Sequence, residues 1–276
     1  MKEFFKILNP IPGVELIFRN YSLLKQLVKR LISAKYQGSA LGIIWSIIHP
    51  LMMLVIYTYV FSVVFKARWD EALNDASKGS FAVIIFCGMT VYSIFSDSIT
   101  LAANQILNNP NYVKKVVFPL LLLPVSQVLA CFIQGAIWVF LLFIGAVFIH
   151  GNLSWHMLLL PVIWMPLFLF TLGIACFVSS LSVYCRDTPY VLQVILQVLF
   201  FITPIFYPIS KVPQNLQIIL QINPLTLMIE ETRKVFLYAQ MPDWSFFGIT
   251  LLVGVMVFIL GFAWFNKTQK GFADVL

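Results

Sequence analysis

Charge is scarce in this chain of 276 residues: Asp, Glu, Lys and Arg make up 11% of it, against about 25% in an ordinary soluble domain. Hydrophobic residues make up 61%. That balance excludes a purely soluble domain and predicts an all-α protein that crosses a membrane several times. No G-x-x-x-x-G-K-[ST] phosphate-binding loop occurs, and no polar stretch is long enough for a nucleotidase domain. If ATP drives any activity here, another chain must bind it. His49, His150 and His156 stand alone, without a second ligand at helical spacing, so no metal site and no catalytic constellation is expected. The four cysteines share no CxxC spacing and read as packing residues. The net charge of +7 is not gathered into a nucleic-acid patch. The opening "MKEFFKILNPIPG" has a short apolar stretch broken by Lys6 and closed by a Pro/Gly turn. That is not a signal-peptide pattern, and an uncleaved N-terminus is expected.

What the chain has in quantity is apolar runs. Six candidates for membrane-spanning helices lie at about 41–65, 81–105, 116–149, 157–184, 189–207 and 246–265. Seven of the eighteen basic residues precede Ala40. With the N-terminus inside, twelve Lys and Arg fall in cytoplasmic segments and six in external ones. The positive-inside rule then places both termini in the cytoplasm. Residues 1–39 form a cytoplasmic segment, 40–266 the six-helix region and 267–276 a cytoplasmic tail. Before the first run, "YSLLKQLVKRLISAKY" puts Tyr21, Leu24, Leu27, Val28 and Leu31 on one face and Lys25, Gln26, Lys29 and Arg30 on the other. This predicts either an amphipathic helix in the headgroup layer or a plain topogenic charge cluster.

Several shorter features are candidates for function. In 105–118, Asn109 can cap a short cytoplasmic helix that Pro110 opens and Tyr112, Lys114 and Lys115 follow; an ordinary loop fits the composition equally well. Between the last two runs, 209–245 predicts two short helices, 213–222 and 224–238, opened by Pro213 and by Asn223–Pro224. The first is too apolar for a free loop and too short to span, so a re-entrant or interfacial hairpin on the external side is expected. Arg186–Asp187 falls in a tight cytoplasmic turn, where Asp187 or Thr188 can cap the helix that Pro189 begins. Asp97 is the one carboxylate well inside a run, and nearby Ser93, Ser96, Ser98 and Thr100 are expected to satisfy it. Trp45, Tyr57, Tyr59, Tyr92 and Trp138 place polar-tipped aromatics within the runs. Such a wall suits a sugar, which presents C–H faces and hydroxyls together.

"LVKRLISAKYQGSALGIIWSIIHPLMMLVIYTYVFSVVF", "YCRDTPYVLQVILQVLFFITPIFYP" and "INPLTLMIEETRKVF" resemble, in order along nearly the whole chain, the permease subunit of polysaccharide-exporting ABC transporters. The O-antigen exporter type is most similar, with teichoic-acid and then capsule exporters behind it. The resemblance implies a homodimer in the bacterial inner membrane with two separate ATPase subunits, which would hold ATP and magnesium. It also implies a lipid-linked glycan, carried on undecaprenyl diphosphate, as the substrate of a channel between the subunits. By the same resemblance, residues 109–117 would couple to the ATPase and the Arg186–Asp187 turn would face it. The segment with Pro213, Asn223, Pro224, Glu230 and Arg233 would form the external gate. A diphosphate needs cationic help at headgroup level, and Arg30 and Lys35 stand just before the first run. Contact with anionic membrane lipids explains the same two residues. A drug or lipid exporter of the same architecture, or a membrane enzyme acting on polyprenyl phosphate, are the competing readings.

Overall fold

A computed structural model describes residues 10–64, 78–114, 118–150 and 154–276. Among these, every regular element is helical. In chain order they are α1 (Ile11–Arg19), α2 (Tyr21–Tyr36), α3 (Trp45–Thr58), α4 (Lys78–Gln105), α5 (Pro110–Lys114), α6 (Leu122–His150), α7 (Leu160–Ile163), α8 (Met165–Tyr184), α9 (Thr188–Ile202), α10 (Gln214–Ile222), α11 (Pro224–Phe236), α12 (Trp244–Thr268) and α13 (Phe272–Val275). A 3₁₀ turn precedes α3 and a π-helical turn, Tyr59–Val64, follows it.

Among the described residues, five helical stretches are long and apolar enough to cross a membrane: Gly42–Val64, Phe81–Gln105, Leu122–Gly145, Trp155–Tyr184 and Trp244–Val275. The sixth candidate run contains the 15-residue helix α9, which rises about 22 Å. That is short of the ~30 Å hydrocarbon layer. Its C-cap Thr203 is extended, at φ −70° and ψ 135°. The residue before a proline disfavours the helical region, and Pro204 has no N–H to donate. The apolar run therefore continues past the point where the helix stops.

The bundle is organised around α4, which packs against α3, α6, α8, α9 and α11. In its most apolar window 78% of residues are buried, compared with 6% in Gly42–Val64. Close approach of backbones holds α8 to α12. A Cβ added at Gly261 would overlap the carbonyl oxygen of Gly173, and one at Gly254 would come within 2.8 Å of that of Pro166. Such small-residue contacts matter in a membrane, where helix association relies on van der Waals packing. The C-terminal turn folds back, with Phe272 buried beside Phe265 and the Tyr184 hydroxyl donating to the Thr268 carbonyl at 2.7 Å.

The N-terminal part differs in one respect from the turn expected at Pro10–Gly13. That stretch opens α1, with Pro12 in its first turn and Gly13 seated against the ring of Phe262. Proline at a helix start removes a donor that has no partner there, so it favours initiation as readily as a turn. Helix α2 is amphipathic as expected, with Leu24, Leu27 and Val28 buried, although Tyr21 is exposed.

Substituting Gly261→Val should lower the thermal midpoint of the solubilised chain by the equivalent of about 1–3 kcal/mol, because the added methyls have no room at the α8–α12 crossing. Gly248→Ala, with open space around it, should hold or raise the midpoint. Equal midpoints for wild type and Gly261→Val in a denaturation scan would contradict this packing.

Candidate functional site

The residues singled out by sequence fall into four places. The first is a cleft of about 430 Å³ between α2, α3, α4 and α6, which gathers Lys35, Trp45, His49, Asp97, Gln134 and Trp138. Pro50 lines it too, and its ring removes the helical donor to the Ser46 carbonyl. Lys35 Nζ donates to Gln134 Oε1 at 2.8 Å, and Gln134 Nε2 reaches the Tyr36 hydroxyl at 3.4 Å. Partial burial pushes the Tyr36 phenol above its ordinary pKa, a hydrogen bond with Ser46 pulls it back, and the Asp97 charge adds to the rise. Trp138 stacks on Phe86, with ring centroids 6.1 Å apart.

Asp97 is not satisfied as expected from its neighbours. Ser98 Oγ donates to the Ile94 carbonyl at 2.6 Å and Ser96 Oγ to that of Ser93 at 3.5 Å. Helical serines return their hydroxyls to the preceding turn, which leaves the carboxylate facing the cleft within electrostatic reach of Lys35 and His49. Sequence reading treated Asp97 and His49 separately. Their convergence depends on how α3 and α4 cross, and no spacing within one helix reveals it.

Arg30 is not in that cleft. Its Nη1 donates to the Tyr112 hydroxyl at 2.9 Å and its Nη2 to Asn109 Oδ1 at 3.2 Å, with the guanidinium 5.8 Å from the Tyr112 ring centre. Five residues along a helix turn by about 140°, so Arg30 and Lys35 point to different faces. Arg30 thus joins α2 to α5, the second place. Asn109 precedes α5 as expected, but its side chain does not cap it; its amide donates back to the Gln105 carbonyl at 2.8 Å. Pro110 opens the helix and Lys114 ends it. Lys115 lies outside the described residues. Tyr112 also stacks on Phe118 at 4.4 Å.

The third place is the α4–α9 side. Tyr92 donates its hydroxyl to the Leu196 carbonyl and packs on Phe200, and Tyr57 packs on Phe206 at 5.0 Å. Tyr59 is exposed, apart from the cleft. Beside Tyr92 runs a groove of about 240 Å³ lined by Ser96, Thr100, Gln193 and Gln197. At the start of α9, Arg186 and Asp187 are exposed. Neither Asp187 nor Thr188 caps that helix: the Thr188 hydroxyl donates instead to the Cys185 carbonyl at 2.7 Å. A short turn brings that carbonyl, at the end of α8, nearer than the next helix's amides.

The fourth place is built on α11, and its centre is Arg233. Pro213 is the N-cap residue of α10, and Pro224 begins α11, for which Asn223 supplies the cap by accepting from Leu225 N at 3.1 Å. The Asn223 amide also donates to Thr203 Oγ1 at 3.2 Å. Arg233 is 0% exposed. Its Nη1 donates to the Pro204 carbonyl at 2.8 Å and to Glu230 Oε1 at 2.7 Å, and its Nη2 donates to the Ile205 carbonyl at 2.9 Å. The guanidinium therefore closes the end of α9 from α11. A Cβ at Gly88 of α4 would stand 2.8 Å from Nη2, so a side chain there would press on the hydrogen-bonded guanidinium. The residue is in the expected segment. Its complete burial and its main-chain partners were not legible, since "EETRKVF" reads as an ordinary charged helix.

Removing the guanidinium leaves the buried Pro204 and Ile205 carbonyls without their donor, and each unsatisfied buried group typically costs about 1–3 kcal/mol. Arg233→Leu should therefore reduce the yield of folded chain sharply and lower its midpoint. Arg233→Lys, with one point charge for three acceptors, should recover only part of the loss. A midpoint for Arg233→Leu within a degree of wild type would refute the closing role.

The description "ABC-2 type transporter" of a membrane-protein family matches residues 22–237. The O-antigen export system permease protein RfbA of Klebsiella pneumoniae is 26% identical over 261 residues, covering 93% of this chain and 95% of that protein. The Myxococcus xanthus protein of the same name is 25% identical over 260 residues, covering 94% and 96%. The polysialic acid transport protein KpsM of Escherichia coli is 25% identical over 229 residues, covering 80% and 82%.

Proposed function

We propose that this chain, which belongs to the ABC-2 type transporter family, is the membrane-spanning subunit of a bacterial polysaccharide exporter powered by ATP hydrolysed on separate subunits. O-antigen is the favoured cargo, because relatives named for its export align with this chain nearly end to end. A teichoic-acid or capsule exporter is the alternative; a relative named for polysialic acid transport aligns over a shorter stretch. Two copies of the chain form the channel in the inner membrane, and the glycan enters on undecaprenyl diphosphate from the cytoplasmic side.

The observation that carries the channel reading is the groove beside Tyr92. Gln193 and Gln197 lie one turn apart on the exposed face of α9, among the exposed apolar side chains Val194, Ile195 and Val198. A side-chain amide left in hydrocarbon without a partner is unfavourable by several kcal/mol. With Ser96 and Thr100 across the groove, these amides call for water, a second subunit or hydroxylated cargo. A wall that alternates aromatic surface with amides and hydroxyls holds sugars weakly at many positions, which suits passage of a long chain.

The remaining parts follow in this reading. Helix α9 together with the bent 203–207 segment makes the sixth crossing; non-helical backbone at membrane depth is tolerated where protein surrounds it, and Thr203, Ile205 and Phe206 are buried. Helices α10 and α11 form the external hairpin. The apolar face of α10, with Leu216, Ile218, Ile219 and Ile222 exposed, rests in the outer leaflet boundary. Both termini are cytoplasmic. There α5 seats on the ATPase, the exposed Arg186–Asp187 turn faces it, and the Arg30 bridge passes the motion of α5 to α2.

In a strain with the matching ATPase, replacing Gln193 and Gln197 by leucine should reduce surface glycan several-fold while the chain still inserts and binds its partner. Wild-type surface glycan in the double variant would remove this face from the channel. The purified chain alone should neither bind nor hydrolyse ATP; steady hydrolysis by it would overturn the exporter-subunit reading.

A further inference from the structure

The cleft between α2, α3, α4 and α6 has a chemical character that the grouping of Lys35 with Arg30 concealed. Its hydrogen-bonding groups come in both senses. Lys35 and Gln134 supply N–H donors, and Asp97 supplies a carboxylate that accepts no hydrogen bond among the described residues. Asp97 and Lys35 also lie close enough for their charges to offset each other. Trp45 and Trp138 add aromatic surface to the same walls. The volume, about 430 Å³, falls within the ~300–1,000 Å³ usual for small-ligand sites.

Three occupants differ in how they use these groups. A diphosphate would meet Lys35 as the one permanent cation, with His49 beside it and the Asp97 carboxylate opposing it where the low dielectric strengthens repulsion. A lipid ammonium would satisfy Asp97 but leave the Lys35 and Gln134 donors without an acceptor from it. A neutral sugar ring uses donors, acceptor and aromatic surface together: its hydroxyls donate to Asp97 and accept from Lys35 and Gln134, and its C–H faces rest against the indoles.

The depth agrees. Asp97 lies eight residues from the end of α4 at Gln105, about 12 Å along the helix axis. Lys35, in the last turn of the amphipathic helix α2, stands at the mouth. We therefore propose that this cleft within a single subunit is a binding site for one neutral sugar residue of the lipid-linked substrate, read by Asp97, Lys35, Gln134 and the two tryptophans. The proposal rests on the polysaccharide reading above and makes that reading specific: the cleft recognises a sugar, and the diphosphate is held elsewhere.

The test uses the full chain in phosphatidylcholine nanodiscs and two soluble probes, a short-chain prenyl diphosphate and the same molecule carrying one N-acetylglucosamine. Wild type should bind the sugar-bearing probe at least about tenfold more tightly, a margin of ~1.4 kcal/mol. Asp97→Asn and Trp138→Ala should each bring the two affinities within about twofold and leave that for the bare diphosphate unchanged. Gln134→Leu serves as a further variant should either of those fail to fold. Equal affinities in wild type would overturn the proposal, as would a preference that survives in all folded variants. A preference abolished by exchanging phosphatidylcholine for phosphatidylethanolamine would assign the cleft to an ammonium headgroup and overturn it too. Glycan export by wild-type cells, measured separately, reads the exporter function on its own. Normal export without the binding preference would discard the sugar cleft alone.

Discussion

The fold depends on one buried guanidinium. Helix α9 ends at Ile202, yet the chain stays buried through Thr203, Pro204, Ile205 and Phe206. Carbonyls beyond a helix end need donors, and neither hydrocarbon nor apolar side chains provide them. Arg233 supplies two, to Pro204 and Ile205, and Glu230 balances its charge. The rest of the neighbourhood accommodates that group. Gly88 clears space for it on α4, Asn223 ties the start of α11 to Thr203, and most of α11 is buried as a consequence. A charge so expensive to bury is retained here because it replaces several missing hydrogen bonds at once.

A second polar linkage works at the other end of the bundle. Arg30 connects α2 to α5 through Tyr112 and Asn109, and Lys35 connects the same helix to α6 through Gln134. Three buried apolar residues, Leu24, Leu27 and Val28, seat the helix just before those two attachments. Arg30 thereby ties α5 to α2 at two points. The cleft, whose mouth carries Lys35, lies one helical turn further along.

The apolar runs and the amphipathic pattern of α2 were legible because hydropathy and a period of 3.6 are properties of single segments. The end of α9 carried a readable signal as well. Thr203–Pro204 marks a helix boundary, but hydropathy continues to Tyr207 and conceals it. The expected caps at Asn109, Asp187 and Thr188 did not form. Asn109 and Thr188 had a nearer carbonyl or a distant arginine to bind. Asp187 stands at the cap position in a helical conformation that makes no side-chain cap, and cap preferences describe the local choice only. Arg233 and Asp97 were visible as residues and opaque as sites. The burial of the first and the grouping of the second with Lys35 and His49 arise from helices distant in sequence.

What remains is the contrast between the parts of the bundle. Helices α4, α6, α8, α11 and α12 hold one another through deep burial, glycine contacts and the Arg233 network. Helix α3 has Ser46 and Pro50 as its only buried residues, and α9 has Thr188, Pro189 and Leu196. Stability within a structure follows local burial, so α3 and α9 are the elements that this subunit fixes least by itself. They are also the elements with most apolar surface left outward, and α9 alone interrupts that surface with two amides. A lipid-facing helix would have no use for Gln193 and Gln197, whereas a helix shared between a second subunit and an aqueous passage needs both kinds of surface. In the exporter reading proposed above, the incomplete packing of α3 and α9 in one chain is the surface that a second subunit would complete.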